Sequence, residues 1–424
     1  MSRQQSKKNL RAPCGIIYFL LYIIFYPLLK LLFRLKVDKS NYSKPKGAFI
    51  VLANHSSFMD FLLAMLTIYP RRLNAVTAQK FFAVPILRLL FSLMGCMPKN
   101  LFEPDIRAII GMKQTVARGG GVLLFPEGRC SVDGAYMGIN VATAKLIKNL
   151  GVPVISCVIG GSYTAMPFWR KGLRFGNLSV RLSTIFSVDD TKTLSLDEIN
   201  AAIDKSLGST DSTVLDNHYR TFKKKKLAEG LHNILYWCPH CKSELTTKTT
   251  GCKIFCTSCE GSAQMNKYAQ LVSEEGYSYP ATIHEWFKMQ TEHEMSKLHE
   301  NMDSINIDVT VRTPLEPDFS EHNSKDSAGV LTLSPKDWQY EGRIMGEDVS
   351  YFFPIEGVPA MPFDPAQNFQ IYSGGKYYEF IPHNLQSCAK YSIIGECAYW
   401  RFSNRVQMTP SRSLSNFRNK NRTQ

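Results

Sequence analysis

The sequence predicts an α/β protein: a layered αβ domain behind an amino-terminal membrane helix, then a small cysteine-rich ribbon and a small carboxy-terminal β domain. Three observations predict it. Strand-length apolar runs alternate with helical stretches between Lys46 and Phe186, the pattern of a sheet covered by helices. Five cysteines crowd between Cys238 and Cys259. From Val330 to Phe402, short aromatic-rich runs are separated by Gly, Pro and Asn, as in a small β domain. A chain of 424 residues exceeds one ordinary core, so two to four domains are expected.

The elements follow in order. Residues 1–14 form a basic segment carrying Arg3, Lys7, Lys8 and Arg11. Residues 15–36 are an apolar helix containing Pro27, Lys30 and Arg34, with Tyr18, Phe19, Tyr22, Phe25 and Tyr26 suited to a membrane interface. No small-residue cleavage site follows, which argues against a removed signal peptide. A single span and a kinked helix lying in one leaflet both fit this segment. Within residues 37–222, Ala48–Ala53, Gly121–Phe125 and Val152–Ile159 read as buried strands. Phe58–Tyr69, Ile86–Leu93, Ile106–Arg118 and Ala142–Asn149 read as helices, and Leu173–Phe186 as a half-exposed strand. A helical stretch near Asp197–Ser206 leads to an exposed joint, Lys223–Lys226. Residues 233–268 form the ribbon, 269–312 a helical connector, Thr313–Gly329 a linker, 328–405 the β domain and 406–424 a disordered basic tail.

The apolar fraction of 44% is ordinary for a globular protein and does not suggest a polytopic membrane protein. The net charge of +14 suits either nucleic acid or an anionic lipid surface. The clustered cysteines fit a metal site in a reducing compartment rather than a secreted disulfide scaffold.

Two motifs carry the chemistry. In Asn54-His55-Ser56-Ser57-Phe58-Met59-Asp60 a buried strand turns into a helix, with Ser56 or Ser57 as its cap. Positions five apart diverge by about 140° on a continuous helix. His55 must therefore precede the helix for its ring to fold back on Asp60, which would hold one imidazole nitrogen and leave the other as a base. Taken singly, Asp60 also reads as a capping carboxylate and His55 as a loop histidine. The second motif, Phe125-Pro126-Glu127-Gly128-Arg129, again ends a buried strand in a turn. Here Arg129 can grip a phosphate bidentately, and Glu127 can orient it or bind a substrate hydroxyl.

Together these blocks, with Val152-Pro153-Val154, resemble the glycerolipid acyltransferases, specifically the 1-acylglycerol-3-phosphate acyltransferases, over residues 15–210. The resemblance implies an αβ domain on a membrane in which His55 and Asp60 are catalytic. It further implies that Asn54 and the loop Glu127, Gly128 and Arg129 bind the acceptor. An acyl group would pass from a thioester, acyl-CoA or acyl carrier protein, to a lysophospholipid hydroxyl, with 1-acylglycerol-3-phosphate the expected acceptor. His55 would take the hydroxyl proton in a direct transfer, without a catalytic cofactor. One departure stands out: in Gly95-Cys96-Met97-Pro98-Lys99-Asn100-Leu101, leucine occupies the position of the family's phosphate-holding arginine. Lys99, or Arg107 further on, is expected to supply that charge.

Cys238-Pro239-His240-Cys241 and Cys256-Thr257-Ser258-Cys259 are two Cys-X2-Cys knuckles at the spacing of one tetrahedral zinc. Cys252 or His240 could substitute for a ligand, but neither sits in a knuckle position. Four thiolates close the site, so the expected metal is structural and its loss is expected to unfold residues 234–263 locally. The basic charge and ribbon also support a rival reading, a nucleic-acid or protein binder with an inactive acyltransferase-like domain. The membrane segment and the His55/Asp60 pair argue against it. The expected location is the cytoplasmic face of a membrane, the bacterial inner membrane.

Overall fold

The computed structural model describes residues 10–102, 105–139, 142–208, 226–300, 304–312, 327–334, 336–344 and 346–402. It divides into two compact units: Met1–Gly128, Ile139–Gly160 and Asn177–Val214 in one, and Arg129–Gly138, Gly161–Gly176 and Leu215–Gln424 in the other.

The first unit opens with α1 (Gly15–Phe33) and β1 (Lys36–Asn41), followed by β2 (Phe49–Ala53), α2 (Met59–Ile68), β3 (Leu73–Ala78), α3 (Pro85–Leu93) and β4 (Met97–Lys99). It continues through α4 (Ile106–Ala117), β5 (Gly121–Leu124), α5 (Ala142–Leu150) and β6 (Val154–Gly160). One helical turn, α6 (Ser162–Ala165), belongs to the second unit. The first unit then closes with β7 (Ser179–Phe186), α7 (Val188–Thr193) and α8 (Leu196–Leu207). The sheet order is β1-β7-β6-β2-β5-β3-β4. Only the β6–β7 pair is antiparallel.

Every residue of β2, β5 and β6 is buried. These strands carry continuous apolar runs because helices leave neither face of the central sheet to water. Close packing also fixes Gly121: a Cβ there would lie 2.6 Å from the Phe49 ring and 2.7 Å from Leu73. The four expected helices of the motif region and the three buried strands form within a few residues of their expected bounds. Of the expected strand Leu173–Phe186, only Ser179–Phe186 forms. Strands β1, β3 and β4 were not anticipated. They are short and partly polar, and they flank the sheet centre rather than forming it.

Helix α1 is the one described helix long and apolar enough to cross a membrane. Both its ends are nevertheless fastened to the first unit. At its start, the buried Tyr18 hydroxyl donates to Leu73 O at 2.6 Å and accepts from Leu73 N at 3.1 Å. Nearby, Cys14 N donates to Leu93 O at 2.9 Å. At its end, Leu178 N donates to Phe33 O at 3.0 Å, and β1 pairs with β7.

The second unit contains a four-stranded antiparallel ribbon, β8 (Thr247–Thr250), β9 (Lys253–Cys256), β10 (Ser262–Met265) and β11 (Leu271–Ser273). After it come α9 (Ile283–Glu300) and β12 (Ile305–Arg312), then β13 (Ala328–Leu333), β14 (Asp337–Ile344) and β15 (Glu347–Pro354). The described residues close with β16 (Phe363–Asp364), β17 (Asn368–Ser373), β18 (Lys376–Pro382) and α10 (Cys388–Phe402). These later strands make an antiparallel sheet in the order β15-β14-β13-β12-β18-β17-β16.

Two expectations need correction here. The stretch 269–312 is more than a helical connector, because β12 lies inside the sheet between β13 and β18. The stretch expected to be wholly β ends in α10, whose Cys388, Ala389, Cys397 and Ala398 are buried. Most of the joint Lys223–Lys226, residues 313–326 of the linker and the tail 406–424 lie outside the described residues, as does most of the basic segment 1–14.

Tyr18→Phe should test the fastening of α1. It strips the partner from two buried main-chain groups, so denaturant unfolding should show a loss of about 1–3 kcal/mol.

Candidate active site

The sheet's geometry brings the two motifs together. β2 and β5 are adjacent and parallel, with Phe49 opposite Gly121 and Leu52 opposite Leu124. Their carboxyl ends therefore open on one edge, where open α/β sheets place their sites. His55 leaves the end of β2, and Glu127 leaves the end of β5.

Asp60 organises the turn between β2 and α2. It lies in the first turn of α2 and is fully buried, yet its Oδ2 accepts from Ser56 N and Ser57 N, each at 2.7 Å. The same oxygen lies 3.3 Å from His55 Nδ1. The expected approach of His55 to Asp60 is thus present. The expected serine cap is present as well: Ser57 Oγ accepts from Met59 N at 3.2 Å. Asp60, three residues after Ser57, returns its carboxylate to the Ser57 amide, so hydroxyl and carboxylate share the capping of the helix start. Asp60 Oδ1 is buried with no hydrogen-bond partner among the described residues. Burial raises the pKa of the neighbouring Cys157 thiol, and the Asp60 charge raises it further, so this cysteine stays protonated.

The imidazole of His55 is 19% exposed and stacks on Phe125, with ring centroids 4.2 Å apart. With Nδ1–H directed to Asp60, the lone pair falls on Nε2, the arrangement of a base.

Asn54 and Glu127 have structural tasks that spacing did not reveal. Asn54 Nδ2 donates to Ile159 O at 2.9 Å, and Asn54 Oδ1 accepts from Ile159 N at 2.7 Å. Its amide therefore behaves as an extra rung between the ends of β2 and β6, rather than as an open substrate contact. Glu127 Oε1 accepts from His55 N at 2.7 Å. The second motif thus grips the backbone of the first. Gly128 permits this turn with φ +80°, a conformation that other residues resist, and its N–H donates to Phe125 O at 3.1 Å. Lys99 ends β4 on the same sheet edge, its ammonium 3.1 Å from Asn100 O. On that edge Arg107 Nη2 also reaches Gln79 Oε1 at 3.4 Å.

Arg129 departs most from expectation. Its guanidinium forms a two-point ion pair with Glu396 of α10, Nη2 to Oε2 at 2.9 Å and Nη1 to Oε1 closer still. Burial works against the charge, but Glu396 and then Asp133 outweigh it and raise the guanidinium pKa. The adjoining cavity, lined by Arg129, Val132, Asp133, Met137, Phe287 and Glu396 among others, holds about 30 Å³. That is room for a water or two rather than a lipid phosphate. The fork expected to hold a substrate anion is filled by a carboxylate 267 positions away.

The four knuckle cysteines Cys238, Cys241, Cys256 and Cys259 converge in the second unit, all four sulfurs lying within 4.8 Å of one another.

Residues 34–160 match the family model described as Acyltransferase. Over 128 residues the chain is 26% identical to the chloroplastic 1-acyl-sn-glycerol-3-phosphate acyltransferase BAT2 of Brassica napus, covering 29% of this chain and 36% of that protein. It is 25% identical over 134 residues to the chloroplastic LPAT1 enzyme of the same name from Arabidopsis thaliana, covering 31% of this chain and 37% of that one. The chain therefore spans little more than a third of the length of these curated relatives. Among solved structures it is similar to the 1-acyl-sn-glycerophosphate acyltransferase PlsC of Thermotoga maritima, at 19% identity and a TM-score of 0.39, over 45% of this chain and 77% of that one.

The Arg129–Glu396 pair makes a prediction. Glu396→Gln removes the ionic partner of the half-buried Arg129 guanidinium and should cost about 1.5–3 kcal/mol in denaturant unfolding of the second unit. Arg129→Met combined with Glu396→Leu should recover most of that loss.

Proposed function

We propose that this protein transfers a fatty acyl group from a thioester to the free hydroxyl of a lysophospholipid. The observation that carries the proposal is the buried Asp60 carboxylate holding the His55 ring at the carboxyl edge of β2 and β5. His55 Nε2 takes the acceptor's hydroxyl proton as that oxygen attacks the thioester carbonyl, and the tetrahedral intermediate collapses to ester and thiolate. The imidazolium returns the proton to the leaving sulfur. Asp60 stabilises the charged ring throughout, and Glu127 fixes the turn that carries it. The reaction uses no catalytic cofactor.

The matched relatives bear the name 1-acyl-sn-glycerol-3-phosphate acyltransferase, and we take 1-acylglycerol-3-phosphate as the first acceptor to assay. Lys99 and Arg107, on the site's edge, provide positive charge for the headgroup where Leu101 provides none. Arg129 enters this scheme only if Glu396 releases it. The rival reading, a nucleic-acid or protein binder with an inactive domain, leaves the histidine–carboxylate arrangement unexplained.

A membrane position follows from α1, α3 and α4. A helix fastened at both ends to one folded unit lies along that unit, which favours monotopic attachment over a span. Its outer face exposes Ile16, Ile24 and Leu31. Ile86 and Leu89 of α3 are 74% and 60% exposed, and Ile106 of α4 is 70% exposed. None of the three helices contains an acidic residue, while Lys30, Arg88, Arg107 and Lys113 add positive charge. An apolar, cationic face of this kind fits an anionic leaflet. Phe58, three residues after His55, packs on Phe81, which packs on Phe91 of α3. Acceptor lipid and base thus share one side of the unit. The matched plant relatives are chloroplastic by name and lend nothing to a bacterial inner membrane.

The assay is purified protein with labelled lysophospholipids and both acyl-CoA and acyl carrier protein thioesters. His55→Ala and Asp60→Asn should each lower kcat by about 10²–10⁴-fold while vesicle binding is retained. Near-normal turnover of the His55 variant would remove the mechanism.

A second measurement concerns the membrane. Ile86→Glu with Leu89→Glu should weaken co-sedimentation with anionic vesicles by at least about tenfold, since each side chain contributes about 1.5–3 kcal/mol when buried. Unchanged binding would leave α1 as the anchor.

A further inference from the structure

We propose that Cys238, Cys241, Cys256 and Cys259 bind one Zn²⁺ ion, and that this ion is the keystone of the whole second unit rather than of the ribbon alone. The sulfurs Cys238–Cys259 and Cys241–Cys256 lie 3.8 and 3.7 Å apart. Tetrahedral zinc with Zn–S bonds of about 2.3 Å needs sulfurs about 3.8 Å apart, whereas a disulfide needs about 2.05 Å. All four cysteines are free of disulfides.

The backbone is built twice over for one ion. In the first knuckle Cys238 N donates to Ser243 O and Lys242 N to Cys238 O, both at 2.9 Å. In the second, Cys256 N donates to Gly261 O at 2.9 Å and Glu260 N to Cys256 O at 3.0 Å. Lys242 and Glu260 occupy the same place after their second cysteine, with φ of 66° and 61°. Two non-glycine residues in the left-handed region at matching positions are a strain that needs compensation. Folding both knuckles toward a shared cation supplies it.

Polar groups ring the sulfurs as they would ring thiolates. Tyr279 Oη lies 3.4 Å from Cys238 Sγ, Thr246 Oγ1 3.3 Å from Cys256 Sγ and Ser243 Oγ 3.3 Å from Cys241 Sγ. Ser258 N donates to Cys256 Sγ at 3.4 Å. Four thiolates close the coordination shell, so the ion is structural.

The consequence for the unit comes from what the ribbon touches. Trp237, Cys238, Ile254 and Cys256 belong to one contiguous apolar core with Trp286 of α9, Tyr340 and Phe380 of the later sheet, and Cys397 of α10. Trp286 Nε1 donates to Trp237 O at 2.8 Å, one residue before the first ligand. Gln290 Nε2 donates to Ile234 O at 2.6 Å, and Gln386 Nε2 to Thr247 O at 3.0 Å. Glu244, three residues past Cys241, accepts from Lys390 of α10 at 2.7 Å and lies 3.0 Å from His293 of α9. Freed knuckles would take these anchors with them. This changes the outcome expected from sequence, a disturbance confined to residues 234–263.

The experiment uses the full-length protein and does not depend on the acyltransferase reading. Elemental analysis should find one zinc per chain, and cobalt(II) exchanged into the site should show the visible absorption of a tetrahedral thiolate site. After chelation, hydrogen exchange should accelerate at least tenfold in β12–β18 and α10 as well as in the ribbon, while β2 and β5 stay protected. Cys259→His, which keeps a fourth ligand, should retain zinc and protection even if Cys259→Ser fails to fold. Absence of metal, iron in place of zinc, or acceleration confined to residues 234–263 would overturn the proposal.

Discussion

A single carboxylate oxygen holds the candidate site together. Asp60 Oδ2 accepts from two consecutive backbone amides and faces the imidazole of His55. Burying a carboxylate costs several kcal/mol unless hydrogen bonds replace its water. Here the replacement comes from the turn that carries His55, so the feature that makes the burial tolerable also places the imidazole. The tight turn, the start of α2 and the orientation of the ring are one device. Its position at the end of a fully buried strand keeps it rigid, because β2 is fixed by parallel neighbours on both sides.

The second motif supports the first. Glu127 approaches from the adjacent strand and accepts the amide hydrogen of His55 itself. On the other side of the turn, Asn54 links the end of β2 to β6. Three side chains from two motifs therefore immobilise one stretch of backbone. The free orientation of the histidine is narrowed by the fold itself. Arg129, one residue past the glycine that ends the turn, belongs instead to the second unit and pairs with Glu396. A motif continuous in sequence thus divides its side chains between two tasks, the glutamate holding the His55 backbone and the arginine neutralising a helix carboxylate.

The amino-terminal helix shows how context changes the meaning of hydropathy. Composition alone left a span and an in-plane helix open. The Tyr18 hydroxyl, bonded to both polar groups of Leu73, and the pairing of β1 with β7 fasten it at both ends. Its exposed apolar residues thus belong to a helix held against the first unit at both ends. In α3 and α4 likewise, Ile86, Leu89 and Ile106 stand largely exposed.

By itself the sequence determined the central strands, the helices between them, the His55–Asp60 spacing and the cysteine knuckles. Each is a local pattern: a run of apolar residues buried on both faces, a helical period, or ligands two residues apart. Only the tertiary structure decided that Glu127 serves His55 and that Arg129 pairs with Glu396. It alone placed β12 inside the later sheet and turned 388–402 into a helix packed on that core. The physical reason is range. Backbone periodicity and burial act over a few residues and leave their mark in composition. A hydrogen bond between groups 72 or 267 positions apart leaves none until the chain has folded.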